Sequence, residues 1–277
     1  MATTNTSRPQ LWAFDLGSVD PQWWDFWVHC SACVPAWEYA LGAPTNAGPM
    51  ILGGAQGSSF PTPRFCSNGG GWIIDSDGPG IQNAGSSWVI PVDPSGNDIF
   101  SLNSATVLLV RRRTAALSNS FPFGCRDNLG TLTGRLGGFI PFTDGIIYWD
   151  FGGDTAPKRL TWSGYTLGSD VERWAFRAGK LGMAIYFNGT KVASSSTAVT
   201  RIRNTSGGQG NFGLGLGDQT SVGDNQTFFF AAVLDTEWTD GQISTWASDP
   251  YGPLRMFEMF PASIIPAALG TQRLIYM

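Results

Sequence analysis

The sequence predicts an all-β protein, with antiparallel strands stacked as a β-sandwich and one short helix near the C-terminal end. Helical periodicity is almost absent over the 277 residues. Short apolar runs are instead broken by Gly, Pro, Asn and Asp at strand-length intervals. One tight hairpin is written out in full: apolar residues 183–187, then Asn188-Gly189, then 190–193. Asn-Gly supplies the two positive φ angles that a type I′ turn requires.

Further strands are expected at 105–111, 145–151, 173–176, 211–216 and 228–234, with weaker ones at 73–74 and 88–92. The helix is expected after Thr239, which has a capping-box partner in Gln242. Ile243, Trp246 and Ala247 then share one helical face. Asp249-Pro250 stops it, because proline disfavours helical geometry in the residue before it. The N-terminal 70 residues read differently. Trp12, Trp23, Trp24, Trp27 and Trp37 crowd together without a period. They form either a sugar-stacking platform on Trp23, Trp24 and Trp27 or a loop-rich section packed on the sandwich. The boundaries are therefore residues 1–254 for the sandwich, with 1–70 as its aromatic section, and 255–277 as an apolar arm. That arm holds Phe257, Phe260, Ile264 and Ile265, and either folds back or packs on a partner chain.

Composition narrows the function. There are 36 glycines, about twice average usage, and only 14% charged residues against a typical ~25%. Net charge is −4, so a nucleic-acid-coating role is not expected. No run approaches the ~20 apolar residues of a membrane helix. The N-terminus lacks the basic start and apolar core of a secretory signal, which predicts folding in the cytosol. On that reading the N-x-Ser/Thr frames at Asn5, Asn188, Asn204 and Asn225 are chance matches. His29 is the sole histidine, which rules out a multi-histidine metal site. Cys30 and Cys33 have knuckle spacing, but Cys66 and Cys125 are isolated from each other. Buried thiols are expected rather than zinc or a disulfide.

The stretch Gly182-Met-Ala-Ile-Tyr-Phe-Asn-Gly189, with Trp174 upstream and Asn211-Phe-Gly-Leu-Gly-Leu-Gly217 downstream, resembles the laminin-G-like, concanavalin A-like lectin/glucanase family. The apolar strand ending at Leu234 and the helix from Thr239 to Tyr251 follow in that family's order. The Ser-Asp-Pro-Tyr ending and Trp37-Glu-Tyr-Ala-Leu-Gly-Ala-Pro44 look like the version in tailed-bacteriophage virion proteins. The resemblance covers residues ~70–253 well, 10–70 loosely and the arm not at all. It implies an antiparallel jelly-roll β-sandwich acting in a virion, as capsid decoration or, alternatively, as a tail or fibre receptor-binding lectin. Implied partners are other virion proteins, a second copy of the chain and a cell-surface glycan.

Catalysis is not expected. Glucanases of this superfamily carry Glu-x-Asp-x-x-Glu on one strand face, and that pattern is missing here. Asp235 with Glu237 is the nearest approach and reads as solvated turn residues, as do Asp150 and Asp154. His29 beside the tryptophans reads as a packing or capping residue, and no Gly-x-Ser-x-Gly elbow accompanies it. No cofactor is required. Asp218, Asp224 and Asn225 of one loop read as solvated turn residues, with calcium on their oxygen ligands as the alternative. Asp75-Ser-Asp77-Gly78 starts like an EF-hand loop but has Ser86 where the glutamate belongs. Arg111, Arg112 and Arg113 read as a charged rim that discourages edge pairing.

Overall fold

The computed structural model describes residues 21–35, 51–52, 64–66, 71–75, 78–83, 87–90, 102–113, 120–125, 134–168, 170–202, 212–214 and 226–254. In chain order the strands are β1 (Cys30–Pro35), β2 (Ile51–Leu52), β3 (Arg64–Cys66), β4 (Gly71–Asp75), β5 (Gly78–Asn83), β6 (Ser87–Ile90), β7 (Ala105–Arg113) and β8 (Phe123–Cys125). They continue with β9 (Leu136–Phe139), β10 (Ile147–Phe151), β11 (Arg159–Trp162), β12 (Glu172–Gly179), β13 (Gly182–Phe187), β14 (Thr190–Ser195), β15 (Phe212–Leu214) and β16 (Gln226–Leu234). Two helices join them, α1 (Trp24–His29) and α2 (Asp240–Ser248).

One sheet runs in the order β14-β13-β12-β7-β16-β1-β2, with β5 also on β16 and β4 on β5. The other runs β11-β10-β9-β8-β15-β6-β3. Neighbours pair antiparallel, as in β7 with β12 and β9 with β10. The molecule is thus the expected antiparallel sandwich. The Asn188-Gly189 turn forms as read, with φ of 49° and 82°. The capping box forms too: Gln242 N donates to the Thr239 hydroxyl at 3.2 Å, and Thr239 N donates to Gln242 Oε1 at 2.8 Å.

Period-two alternation sorts the side chains of the larger sheet onto two faces. Val107, Leu109, Trp174, Phe176 and Ile185 point between the sheets, where they meet Phe123, Leu136, Trp149 and Phe151. Leu108, Val110, Ala175 and Tyr186 point the other way, onto Phe26 of α1 and Ile243 and Trp246 of α2. The larger sheet is therefore the middle of three layers. This is why residues 228–234 of β16 read as an unbroken apolar run: all nine residues of the strand are buried. Trp149 ties the two sheets directly, its indole N–H donating to Arg177 O at 2.9 Å.

Several sequence expectations need correction. α1 was not foreseen, because six residues without a cap signal give no periodicity to read. Arg111–Arg113 is no rim. β7 lies inside the sheet, so alternation carries Arg111 into the interior at 0% exposure and leaves Arg113 at 4%. Asp150 is no turn residue either; it is a wholly buried member of β10. Cys30 and Cys33 are buried, as expected.

Candidate functional site

β11 and β14 end their respective sheets on the same flank and come together there. Rings instead of strands fill the gap between them. Trp162 is the last residue of β11, Phe187 closes β13, and Tyr165 follows three residues after Trp162. These partly exposed rings pack over buried Trp174, with centroid distances of 6.1 Å for Trp162, 5.5 Å for Tyr165 and 4.6 Å for Phe187. Gly164 allows the chain to double back over Trp162, since a Cβ there would stand 2.6 Å from the indole nitrogen. That indole N–H has no hydrogen-bond partner among the described residues.

A buried ion pair orients the rings from below. Arg111 faces Glu172 across the β7–β12 register, and its Nε donates to Glu172 Oε2 at 3.0 Å. The same oxygen accepts the Trp174 indole N–H at 2.8 Å. The other oxygen accepts the Tyr165 hydroxyl at 2.5 Å. Arg111 also donates to Ser120 Oγ at 3.2 Å, Gln226 Oε1 at 2.8 Å and Ile140 O at 3.1 Å. Each charge is matched, which is the condition for keeping such a pair away from water. Burial pushes the Tyr165 hydroxyl up to about 12, so it stays a neutral donor. The flank therefore presents preset aromatic faces beside an unspent N–H donor. Such a surface suits stacking on a sugar face, with one hydroxyl accepting from the indole.

The residues singled out from the sequence lie elsewhere. Trp23 is 3% exposed and sits under Gly252, so it is core and not a platform. Trp27 is half-buried and donates its indole N–H to Pro253 O at 2.7 Å. Trp24 is 43% exposed on the outer side of α1. Over residues 21–35 the aromatic section is therefore packed onto the sandwich. Asp25 Oδ2 accepts from Trp238 Nε1 at 2.6 Å and from Gln242 Nε2 at 2.7 Å, clasping α1 to α2. His29 Nδ1 lies 2.9 Å from Asp235 Oδ1. Glu237 accepts the backbone N–H groups of Lys180 at 2.8 Å and Leu181 at 2.9 Å, which holds the β12–β13 turn. Both acids thus stand partly exposed between β16 and α2, and each has a structural partner. Asp218, Asp224 and Asn225, and Phe257, Phe260, Ile264 and Ile265, lie outside the described residues. Among the described residues no cluster of His, Cys, Asp or Glu is placed to hold a metal ion. None of their helices is long and apolar enough to cross a membrane.

Sequence reasoning missed Trp162, Tyr165 and Glu172 as a group. The available signal was Trp162-Ser-Gly-Tyr165, two large rings around a glycine just beyond a strand.

No family model matches the sequence, and neither does any curated protein. Solved structures do match in shape. Domain 4 of an extracellular arabinanase from Geobacillus stearothermophilus, solved with arabinotriose, superposes with a TM-score of 0.51 at 14% identity, over 69% of this chain and 90% of that one. The Trypanosoma rangeli sialidase, solved with sialic acid, superposes with a TM-score of 0.51 at 12% identity, over 78% of this chain and 32% of that one. The chain thus spans about a third of the sialidase. At these identities the likeness is one of fold.

Proposed function

We propose that this chain is a non-enzymatic, carbohydrate-binding β-sandwich whose sugar contact is the aromatic flank of Trp162, Tyr165 and Phe187. The observation that carries the reading is the buried Glu172 carboxylate, which fixes Tyr165 and Trp174 through its two oxygens. Rings held in place before the ligand arrives lose little entropy on binding. The sandwiches of similar fold include a domain solved with arabinotriose and a sialidase solved with sialic acid, which is compatible with a sugar ligand. Three acids that the sequence brings forward are engaged in structure: Asp235 with His29, Glu237 with a turn, and Asp150 with two arginines. This supports binding without catalysis.

The site of action we propose is a bacteriophage particle, with the sandwich decorating the capsid; a tail or fibre receptor-binding role is the alternative. The support is the resemblance of Ser248-Asp-Pro-Tyr251 and Trp37–Pro44 to virion sandwiches. Mass spectrometry of purified particles tests that location, and absence of the chain from them overturns it.

The binding test is a glycan array with the wild-type protein and Trp162→Ala. A hit on wild type that falls at least tenfold in the variant, with melting temperature held, supports the assignment. A hit that Trp162→Ala leaves unchanged overturns it, as does hydrolysis of the bound glycan.

A further inference from the structure

The outer face of the smaller sheet carries a second constellation, on the side away from the core. Strand pairing lays Gly124, Gly137, Asp150 and Arg159 in one row across β8, β9, β10 and β11. Phe139, Tyr148 and Thr161 form the next row. The two glycines leave a trough for the Phe121 ring, since a Cβ on either would stand 2.6 or 2.7 Å from it. Phe121 stacks on Phe139 with centroids 4.2 Å apart. Arg135 lies over both rings, at 5.6 and 5.1 Å. Arg159 lies 4.6 Å over Tyr148, whose ring meets Phe142 edge to face.

Asp150 is the pivot. Its buried carboxylate accepts Arg159 Nε and Nη2, both at 2.6 Å, and lies 3.0 Å from Arg135 Nε. Two guanidiniums therefore share one anion. Both keep N–H groups that no described residue accepts, and their side chains are 14% and 24% exposed for Arg135 and Arg159. The rim adds Asp154 and Asp144. Both oxygens of Asp144 are occupied, by Ile146 N at 2.9 Å and the Tyr148 hydroxyl at 2.5 Å.

We propose that this face is a second binding site, taking the carboxylate of an acidic sugar residue. An arginine fork matches a carboxylate in shape as well as charge. Here the forks are already oriented by Asp150, and the half-exposed rings of Tyr148 and Phe142 supply an apolar wall for the sugar ring. This site is separate from the aromatic flank and does not rest on it.

The test is calorimetric titration with hexagalacturonate and with its methyl ester, the same backbone without the charge. The acid binds the wild-type protein at least tenfold more tightly than the ester. Arg135→Gln and Arg159→Gln each weaken the acid at least tenfold, and raised salt weakens it as well. Trp162→Ala leaves acid binding within twofold, so the two sites fail independently. Equal binding of acid and ester by the wild-type protein overturns the proposal without reference to any variant's fold. No saturable binding at millimolar acid also overturns it, as do Arg variants that fold and bind like wild type. Inorganic phosphate competing as well as the acid overturns the assignment to sugar acids.

Discussion

Glu172 accepts the Tyr165 hydroxyl at 2.5 Å, so a ring at the sandwich flank is held by a carboxylate in its interior. The same carboxylate neutralises Arg111, which is wholly buried. Removing it strands a cation away from water. Glu172→Ala is therefore expected to cost about 3–5 kcal/mol. Tyr165→Phe loses one charge-assisted bond and is expected to cost about 1.5–3 kcal/mol. Urea unfolding of both variants checks the order. Equal, small losses would mean the pair does not hold the ring.

Trp149 fills the space between the sheets and spends its N–H on Arg177 O. Trp149→Ala is expected to destabilise by about 3–5 kcal/mol. Trp24→Ala, on an exposed ring, is expected to stay within about 0.5 kcal/mol. Thermal melts of the two variants side by side measure the contrast.

Two glycines with positive φ separate conformation from crowding. Gly145 has a φ of 80° with nothing within 4 Å of an added Cβ. Gly182 has a φ of 92°, and its Cβ would stand 1.9 Å from Ser195 O. Gly145→Ala should cost only the left-handed term, about 1–2 kcal/mol. Gly182→Ala should cost clearly more, since the β13–β14 backbone must move. Equal losses in urea would contradict this placement of β14.

Asp240 opens α2 and meets Lys191 Nζ at 2.5 Å, the Tyr186 hydroxyl at 2.7 Å and Arg177 Nη1 at 3.1 Å. The hydrogen bonds from Lys191 and Tyr186 hold its carboxyl down to about 2, below the ordinary 3.8. A depressed value stabilises the fold above the unfolded value and loses that contribution as pH falls. The melting-temperature gap between wild type and Asp240→Asn should be full at pH 6 and close between about pH 4 and pH 2. A gap that widens on acidification would contradict the assignment.

The sequence was most legible where structure is local. Asn188-Gly189 and Thr239-x-x-Gln242 act within four residues, so their motifs specify turn and cap directly. Strand runs such as 228–234 were readable because burial on both faces leaves no polar interruption. What was not legible depends on distant partners. Arg111 finds Glu172 61 residues later, and Asp25 finds Gln242 217 residues later. A charged run looks the same in sequence whether it ends a strand in solvent or lies in mid-sheet. Trp23 and Trp27 gave their aromatic character but not their cover, part of which comes from residues 238–253. The flank rings were overlooked because Trp162 and Phe187 meet only after two sheets have stacked.

The clasp between α1 and the end of the domain has a consequence for how the protein is made. Trp23 and Phe26 are covered by Trp238, Tyr251 and their neighbours, which leave the ribosome more than two hundred residues later. At about 5–20 residues per second, that last part of their cover is made roughly ten seconds or more after the rings themselves. Until then the nascent chain carries two large apolar rings that lack part of the surface that buries them. Shielding them over that interval is thus a task for the cell, and the yield of folded protein should rise with the supply of holding chaperones.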